Sequence, residues 1–430
     1  MKEMKIKNWN LEDLSDKTIF MPQLSDAAYI VAAGFRNIGK KYGFKSEVLP
    51  SSSDPSFKLA RRYTNGDQCL PSIITTQDML ELIQNSREGK LEISEEQIAF
   101  FQGGSCGPCR FGRYYMNQQL ILEEIDASNI PIFTISNRDS YRGVGSGNKI
   151  LMWDGIVAQG LLERALNFTK PYEDKEGESE VIYKKYLEKI CSTIEQGFEG
   201  NVLFNSPKPE LLDILRQGIN EFSKVERQKT KKPIIYITGE IFVRNNKIAN
   251  QKLAEKIIQL GGIPLIEPPA SFFSHVNEFK YREAKREHKF SKALSYGVEK
   301  IICNRNERTI SELFHSYLGN FAHDPSAIEV IKEGSKYFNE WHQSEAIVTV
   351  GSSYYLSNLL NGIINVFPFA CMPGNLSRPK LELIKKEKKI PILNLAYDGS
   401  PDPNREDQIE NFMEMSKDYL SRRQPLELFL

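Results

Sequence analysis

Two cysteines, Cys106 and Cys109, stand in a glycine-rich run that reads Gln-Gly-Gly-Ser-Cys-Gly-Pro-Cys-Arg-Phe-Gly from Gln102 to Gly112. The apolar run Ile98 to Phe101 before them reads as a buried strand, and Met116 to Glu124 after them carries apolar residues at helical spacing. The thiols therefore sit on a turn between a strand end and a helix start. Backbone amides project from a helix N-terminus, and its dipole favours negative charge. Thiolates are stabilised there, so the pKa values of these cysteines are expected to fall. The glycines let the backbone approach a bound group closely.

A Cys-x-x-Cys pair serves redox dithiols, half zinc sites and iron–sulfur sites alike. Cys-Gly-Pro-Cys is also the thioredoxin active-site tetrapeptide, so a thioredoxin-like dithiol oxidoreductase using Cys106 and Cys109 is one reading. The remaining cysteines widen the choice. The segments beginning at Cys69, Cys106 and Cys371 all read Cys-x-Pro. Proline is tolerated in the first turn of a helix, which puts each thiol at a helix start. Ligands of open α/β sheets bind beyond the carboxyl ends of the strands. Facing lobes would bring Cys69, Cys106 and Cys109 from one side and Cys371 from the other over one cleft. Three or four thiolates there suit a closed zinc site, or an iron–sulfur cluster that can leave one iron open to a substrate. A dithiol gives Cys69 and Cys371 nothing to do. Cys191 falls near Leu187, Ile190 and Ile194 on a helical stretch and reads as packing; Cys303 reads as core.

The elements that must position these thiols alternate. Lys17 to Met21 reads as a strand, Ala27 to Tyr42 as a helix stopped near Gly43, and Phe44 to Leu49 as a second strand. A helix begins near Cys69 and runs towards Gln84. Ile130 to Ile135 is a further strand and Leu151 to Phe168 a further helix. Residues 1–170 thus form a first α/β lobe with a mostly parallel, doubly wound sheet. Residues 171–232 read as a helical connector with helices at about Val181 to Glu199 and Glu210 to Val225. Residues 233–430 form a second α/β lobe carrying Cys371. Its expected strands are Ile234 to Thr238, Ile263 to Ile266, Lys300 to Cys303, Ala346 to Val350, Gly362 to Phe369 and Ile390 to Leu395.

The bulk numbers exclude some classes. Lysine plus arginine equals aspartate plus glutamate, 56 each, so no basic excess points to nucleic acid. No apolar run approaches the ~20 residues that span a bilayer, and the first residues lack an apolar signal region. The chain reads as cytoplasmic. Six cysteines in 430 residues are too few for a disulfide scaffold, and in a reducing compartment they are free, catalytic or metal-bound.

Four motifs stand in order: Gly-Pro-Cys-Arg-Phe-Gly at 107–112, Thr-Gly-Glu-Ile-Phe-Val-Arg-Asn at 238–245, Pro-Phe-Ala-Cys-Met-Pro-Gly at 368–374 and Leu-Ala-Tyr-Asp-Gly at 395–399. This set resembles the iron–sulfur proteins associated with 2-hydroxyacyl-CoA dehydratase activases, relatives of the dehydratase subunits and of the double-cubane cluster proteins. The resemblance covers the chain from about Thr18 to Phe412. It implies two Rossmann-like lobes with a cluster in the cleft between them. Carried over position by position, the three cysteines that hold a four-iron cluster in dehydratase subunits fall on Cys69, Cys109 and Cys371. Cys106 is an extra thiol, either a fourth ligand or a ligand in place of Cys109. A double cubane needs six cysteine ligands and would call on Cys191 and Cys303, so a 4Fe-4S cluster is favoured. The resemblance also implies an anaerobic chemistry in which a separate ATP-hydrolysing activase injects a low-potential electron. The chain itself shows no Gly-x-x-x-x-Gly-Lys-Ser/Thr loop. It is expected to accept that electron and to reduce or dehydrate a small molecule at the cluster; the alternative is a non-catalytic electron-transfer or cluster-carrying component. A homo- or hetero-dimer is compatible with either.

Other side chains are candidates for the same cleft. Arg110 and Arg113 flank the thiols, where positive charge stabilises a reduced cluster. Glu240, Arg244 and Asn245 follow a strand end in the second lobe, where a carboxylate and a guanidinium bind substrate or tune charge; the alternative is an ion pair at a lobe surface. Tyr397 and Asp398 end the last strand. The histidines have no metal-like spacing.

Overall fold

The computed structural model describes residues 8–52, 56–64, 66, 68–104, 109–136, 143–228 and 230–423. In the first lobe the chain runs through β1 (Thr18–Met21), α1 (Ala27–Tyr42), β2 (Lys45–Val48), α2 (Lys58–Tyr63), α3 (Leu70–Arg87) and β3 (Ile98–Gly104). A 3₁₀ turn, Arg110–Arg113, then enters α4 (Tyr114–Glu124), followed by β4 (Ile132–Ser136). α1 stops where the sequence says it should: Gly43 adopts φ 81°, and its N–H bonds the Gly39 carbonyl. Four helices follow, α5 (Ser146–Thr169), α6 (Glu178–Glu195), α7 (Val202–Asn205) and α8 (Pro209–Phe222). The second lobe contains β5 (Ile234–Gly239), α9 (Ile241–Asn245), α10 (Leu253–Gln259), β6 (Ile263–Ile266), α11 (Pro269–Arg286), α12 (Phe290–Leu318), α13 (Ala327–Gly334), α14 (Glu345–Leu356), β7 (Gly362–Pro368), α15 (Met372–Lys388), β8 (Ile392–Tyr397) and α16 (Arg405–Arg422).

Each lobe has a four-stranded sheet, ordered β2-β1-β3-β4 in the first and β6-β5-β7-β8 in the second, and every pairing is parallel. The chain is α/β, with two Rossmann-like lobes of one topology. In both sheets the strand order reverses between the first and third strands, and that reversal opens a crevice at their carboxyl ends. Cys109 follows β3 and Cys371 follows β7, so the two cysteines occupy equivalent places in the two sheets.

Two helices without a solvent face tie the lobes together. α5 is buried along nearly its whole length and shares one apolar core with α1, α6, α8 and α12. Inside that core the Asn306 amide of α12 donates to both carboxyl oxygens of Asp154 at 2.9 and 3.0 Å. α3 is divided. Leu70, Ile73 and Ile74 pack with Ile237, Val366 and Tyr397 of the second sheet, while Met79, Leu80 and Ile83 pack with Ile98 and Phe100 of the first. Its N-terminus therefore lies at the seam between lobes.

Two expected strands are helical. Lys300 to Cys303 lies within the 29-residue α12, and Ala346 to Val350 lies in α14. The run Ala-Ile-Val-Thr-Val has strand composition, but tertiary context overrides propensity. Ser344 caps α14 by accepting the Ala346 N–H, and Ala346 to Ser353 are buried without interruption before Tyr355 reaches solvent. Its contact with α13 is backbone to backbone. A Cβ on Gly351 would stand 2.0 Å from the Val330 carbonyl oxygen, and one on Gly334 2.4 Å from that of Ile347. Helix propensity alone favours alanine over glycine by ~1 kcal/mol, yet a main-chain carbonyl cannot rotate away. Gly351→Ala is therefore expected to destabilise the protein by ~1–3 kcal/mol, read as a lower urea midpoint; an unchanged midpoint would show that the helices separate freely.

Candidate functional site

The three described cysteines of the Cys-x-Pro and Cys-x-x-Cys segments share one local geometry. Cys69 is the N-cap of α3, Cys109 of the 3₁₀ turn leading to α4, and Cys371 of α15. Each has extended backbone angles, so each thiol stands at the mouth of a helical turn whose first amides face the same way. Pro71 and Pro373 occupy the first turns of α3 and α15, where no N–H is missed. The Cys69 carbonyl accepts the Ser72 N–H at 2.9 Å, and the Cys371 carbonyl accepts the Asn375 N–H at 2.9 Å. Ala370, with φ 59°, makes the left-handed turn that swings the chain out of β7 and into Cys371. Cys106 lies outside the described residues.

These thiols form one electrostatic neighbourhood drawn from both lobes. Cys109 feels the charges of Cys69, Glu240 and Glu345; Cys371 feels those of Glu240, Glu345 and Cys109. The Tyr114 hydroxyl makes a short hydrogen bond with the Cys69 sulfur, and the Phe111 ring meets the Tyr114 ring edge-on at 5.4 Å. The expected fall in thiol pKa does not occur. Burial pushes all three up, Cys109 to about 12, and the neighbouring carboxylates add to the effect. The helix dipole favours the thiolate by ~0.3–1 kcal/mol, whereas desolvation shifts a buried group by up to several pKa units. Burial wins, and the metal-free thiols are neutral.

The second lobe contributes two carboxyls backed by a guanidinium. Glu240 caps α9, its Oε2 accepting the Val243 N–H at 2.9 Å. Glu345 Oε1 accepts the Ile241 N–H at 3.0 Å. Behind them Arg244 is 1% exposed. Its Nε donates to the Glu267 carbonyl at 3.0 Å, and its Nη1 lies 3.3 Å from the Glu267 carboxylate and 3.4 Å from that of Glu345. Arg244 is thus not part of a surface ion pair; it is the buried clamp that joins the ends of β5 and β6 to α14. Burial raises the Glu240 carboxyl, and burial together with the Glu240 charge raises Glu345 to about 8.

The other candidates are distributed. Arg110 acts on Cys69 as a favourable charge, and Arg113 is exposed with its Nη1 3.7 Å from the Met116 sulfur. Asn245 bonds back to the Ile241 carbonyl at 2.8 Å and lines a separate polar cavity of about 150 Å³ with Gln23, Ser51, Glu163 and Lys247. α9 connects the two places, Glu240 at one end and Asn245 at the other. Tyr397 is packed in the core at the seam with Arg405 stacked 4.3 Å over its ring; Asp398 is exposed and caps its own turn by accepting the Ser400 N–H. Neither joins the thiols. Cys191 and Cys303 are core-packed on α6 and α12. Among the described residues no group of three or more His, Cys, Asp or Glu side chains is set to hold a metal ion. Tyr114 and Glu345 carry no motif and were not legible; the only signal for Tyr114 was its place four residues past Arg110, on the helix that Cys109 begins.

No family model and no curated protein matches the chain.

The pH dependence of the carboxyl cluster has a definite sign. Glu345 keeps its proton to about pH 8 in the folded chain, against 4.5 for an ordinary glutamate. Between these limits the folded state binds more protons than the unfolded state, so this group's contribution to stability is lost as pH rises through the window. Glu345→Gln keeps an acceptor for Ile241 but cannot ionise. In metal-free protein with reduced thiols, the variant is expected to gain on wild type by ~1–3 kcal/mol between about pH 5.5 and about pH 8.5, read by urea denaturation. Parallel profiles would mean that Glu345 is ionised throughout.

Proposed function

We propose that this chain is an iron–sulfur protein of the 2-hydroxyacyl-CoA dehydratase type. It would accept low-potential electrons from an ATP-hydrolysing activase and act on a small molecule at the cluster. The observation that carries the reading is the convergence of Cys69, Cys109 and Cys371, from both lobes, each at the start of a helical turn, in a buried site with Tyr114, Glu240 and Glu345. Three cysteines drawn from the two lobes are the number that holds such a cluster in the family the chain resembles. Their high pKa values agree with a site whose ligands lose their protons only when metal binds. A thioredoxin-like mechanism asks for the opposite, an exposed thiol of lowered pKa, and Cys109 is half-buried with its pKa raised.

In this reading Cys69, Cys109 and Cys371 hold a 4Fe-4S cluster, which supplies one-electron chemistry at low potential when bound. The helical-turn amides beyond each cysteine favour the added negative charge. The Tyr114 hydroxyl donates to the Cys69 sulfur and stabilises the reduced state. Glu345 holds a proton at its carboxyl on the second-lobe side, beside the thiols. Arg244 orients Glu345 and takes no part in contact with substrate. Arg110 and Arg113, on the surface where Cys109 starts its turn, form the face on which an activase would dock.

Purification without oxygen, with iron and acid-labile sulfide analysis and EPR, tests the assignment. About four irons and four sulfides per chain are expected, and Cys371→Ser should abolish or convert the cluster. Stoichiometric zinc without sulfide would refute the proposal, and an unchanged spectrum in Cys371→Ser would remove the shared two-lobe site. Tyr114→Phe should keep the cluster but lower its midpoint potential by roughly 20–60 mV, the one-electron equivalent of one hydrogen bond of ~0.5–1.5 kcal/mol. An unmoved potential would mean that Tyr114 only fills space.

A further inference from the structure

α12 carries an apolar stripe that the described chain leaves in water. Phe290, Leu294, Val298 and Ile301 recur at intervals of four, four and three residues, which places them within about 80° of one another around the helix. They are 75%, 72%, 41% and 68% exposed. Arg305 and Arg308 follow on the same face and are exposed as well. Arg305 donates to the carbonyls of Leu203 and Ser206, which brings α7 alongside, and there Leu203 and Phe204 are 43% and 83% exposed. The six apolar side chains leave on the order of 600 Å² in water. That is the upper end of the largest patch an ordinary monomer shows, ~300–600 Å².

The charges around the stripe are of one sign, although the chain as a whole has no net charge. Between Lys285 and Arg308 the exposed charged side chains are Lys285, Arg286, Lys289, Lys292, Arg305 and Arg308, against Glu287 alone. Glu287 is already paired with Lys289 at 2.6 Å. Glu299 and Lys300 turn inward, onto Lys149 and Glu278, each at 2.6 Å. The exposed carboxylates nearest in sequence, Glu199 and Glu312, lie beyond the apolar residues at the α7 end, and Glu312 faces His323 at 3.5 Å. Cations therefore stand at both ends of the apolar run, Lys289 and Lys292 before Leu294 and Arg305 and Arg308 after Ile301.

The geometry points to an anionic lipid surface as what this face docks on, with α12 lying in the plane of the surface. A helix held at a bilayer interface has this composition. Its phenylalanine and leucine dip below the headgroups, and its lysine and arginine stems lie along apolar surface with their charges among the phosphates. The lipid also suits the shape. A helical protein ligand lies in a groove, whereas Phe290, Leu294 and Phe204 stand out from the surface. A second copy of this chain would bring like charges together. Insertion stops at the interface, because the opposite side of α12 packs on α5, where Trp153 Nε1 donates to the Cys303 carbonyl at 3.4 Å. The inference does not depend on the cluster, and no residue of the patch is among those placed around the thiols.

The test is co-sedimentation of the full, reduced chain with vesicles of phosphatidylcholine alone or of phosphatidylcholine mixed with phosphatidylglycerol. Wild type is expected to pellet with the mixed vesicles and to stay in solution with phosphatidylcholine alone. Raising the salt from about 0.1 M to about 1 M cuts the screening length from ~10 Å to ~3 Å, and should weaken binding at least about tenfold. Leu294→Ser, with an unchanged circular dichroism spectrum because the side chain is on the surface, should lose at least about tenfold in affinity. Val181→Ser, at another exposed apolar site on α6, should bind as wild type does. Phe290→Trp should add a tryptophan emission that moves to shorter wavelength with the mixed vesicles, beyond any change in wild type. No pelleting with the mixed vesicles, equal binding to phosphatidylcholine alone, or binding indifferent to Leu294→Ser would each overturn the proposal. A face that serves an acidic protein instead would appear here as a chain that ignores both kinds of vesicle.

Discussion

A helix with no solvent face can exist only where two apolar surfaces close on it, and α3 is such a helix. Residues Leu70 to Leu80 are buried without interruption, including Thr76, Gln77 and Asp78. Its first turns satisfy the second sheet and its last turns the first. Neither lobe can move away without exposing one half of it. At ~25 cal/mol per Å² of apolar surface, even two or three large side chains so exposed cost several kcal/mol, comparable to the whole stability of a domain. The consequence for the site is positional. Cys69 is the residue before that helix, and Leu70 and Phe57 also stop any side chain at Gly399, where a Cβ would lie 3.0 and 2.8 Å from them. The first thiol is thus fixed relative to both sheets by packing alone.

The buried guanidinium of Arg244 does for the second lobe what α3 does for the seam. A charge 1% exposed must be met on every side or it unfolds its surroundings. Meeting it draws in the Glu267 carbonyl and carboxylate, the Gly239 carbonyl and Glu345. Those groups belong to the ends of β5 and β6 and to the start of α14, so one side chain locks three elements around the carboxyl edge of the sheet. Thr238 adds a hydrogen bond of 2.9 Å to the same Glu267 carboxylate. Glu240 and Glu345 are held on this frame and face the thiols. The same three strand-end loops that a doubly wound sheet leaves free for ligand binding are thereby made rigid.

Much of this was legible in the sequence, and the rest was not for identifiable reasons. α1 could be read to the residue because Gly43 has a job that only a left-handed residue does well. The segments at Cys69 and Cys371 could be read as helix starts because Pro71 and Pro373 suit a first turn. The two false strands share a cause. Ala346 to Val350 and Lys300 to Cys303 are runs too short for periodicity to discriminate; the first is buried throughout, and the second is one turn of the 29-residue α12 with Ile302 and Cys303 buried and Ile301 exposed. Arg244 read either as a cleft residue or as half of a surface ion pair, because nothing in the sequence shows that the ends of β5 and β6 and Glu345 close around it. Tyr114 had only its place four residues past Arg110 and Glu345 had no signal, since their meaning comes from elements far away in the chain. The pKa of the thiols was misjudged for the same reason: the dipole of a helix is local and visible in sequence, whereas desolvation is a property of the closed fold.

That last difference constrains the chemistry. Neutral thiols in a metal-free site cost little to bury, so the folded apo protein need not pay for three negative charges. In the proposed reading, binding iron would reverse the balance: each cysteine would give up its proton, and the charge would rest on sulfurs at the starts of three helical turns. Glu240 and Glu345 work the other way. As anions they would add negative charge beside the thiols; burial raises both carboxyls, and the Glu240 charge raises Glu345 further. In the proposed reading the thiols of both lobes would carry the cluster's negative charge, while the Glu345 carboxyl of the second lobe would hold a proton. Arg244 ties Glu345 to the main chain at the ends of β5 and β6. The positions of the thiols are set by backbone geometry and the protonation of the acids by burial. The two parts of the site can therefore be altered one at a time.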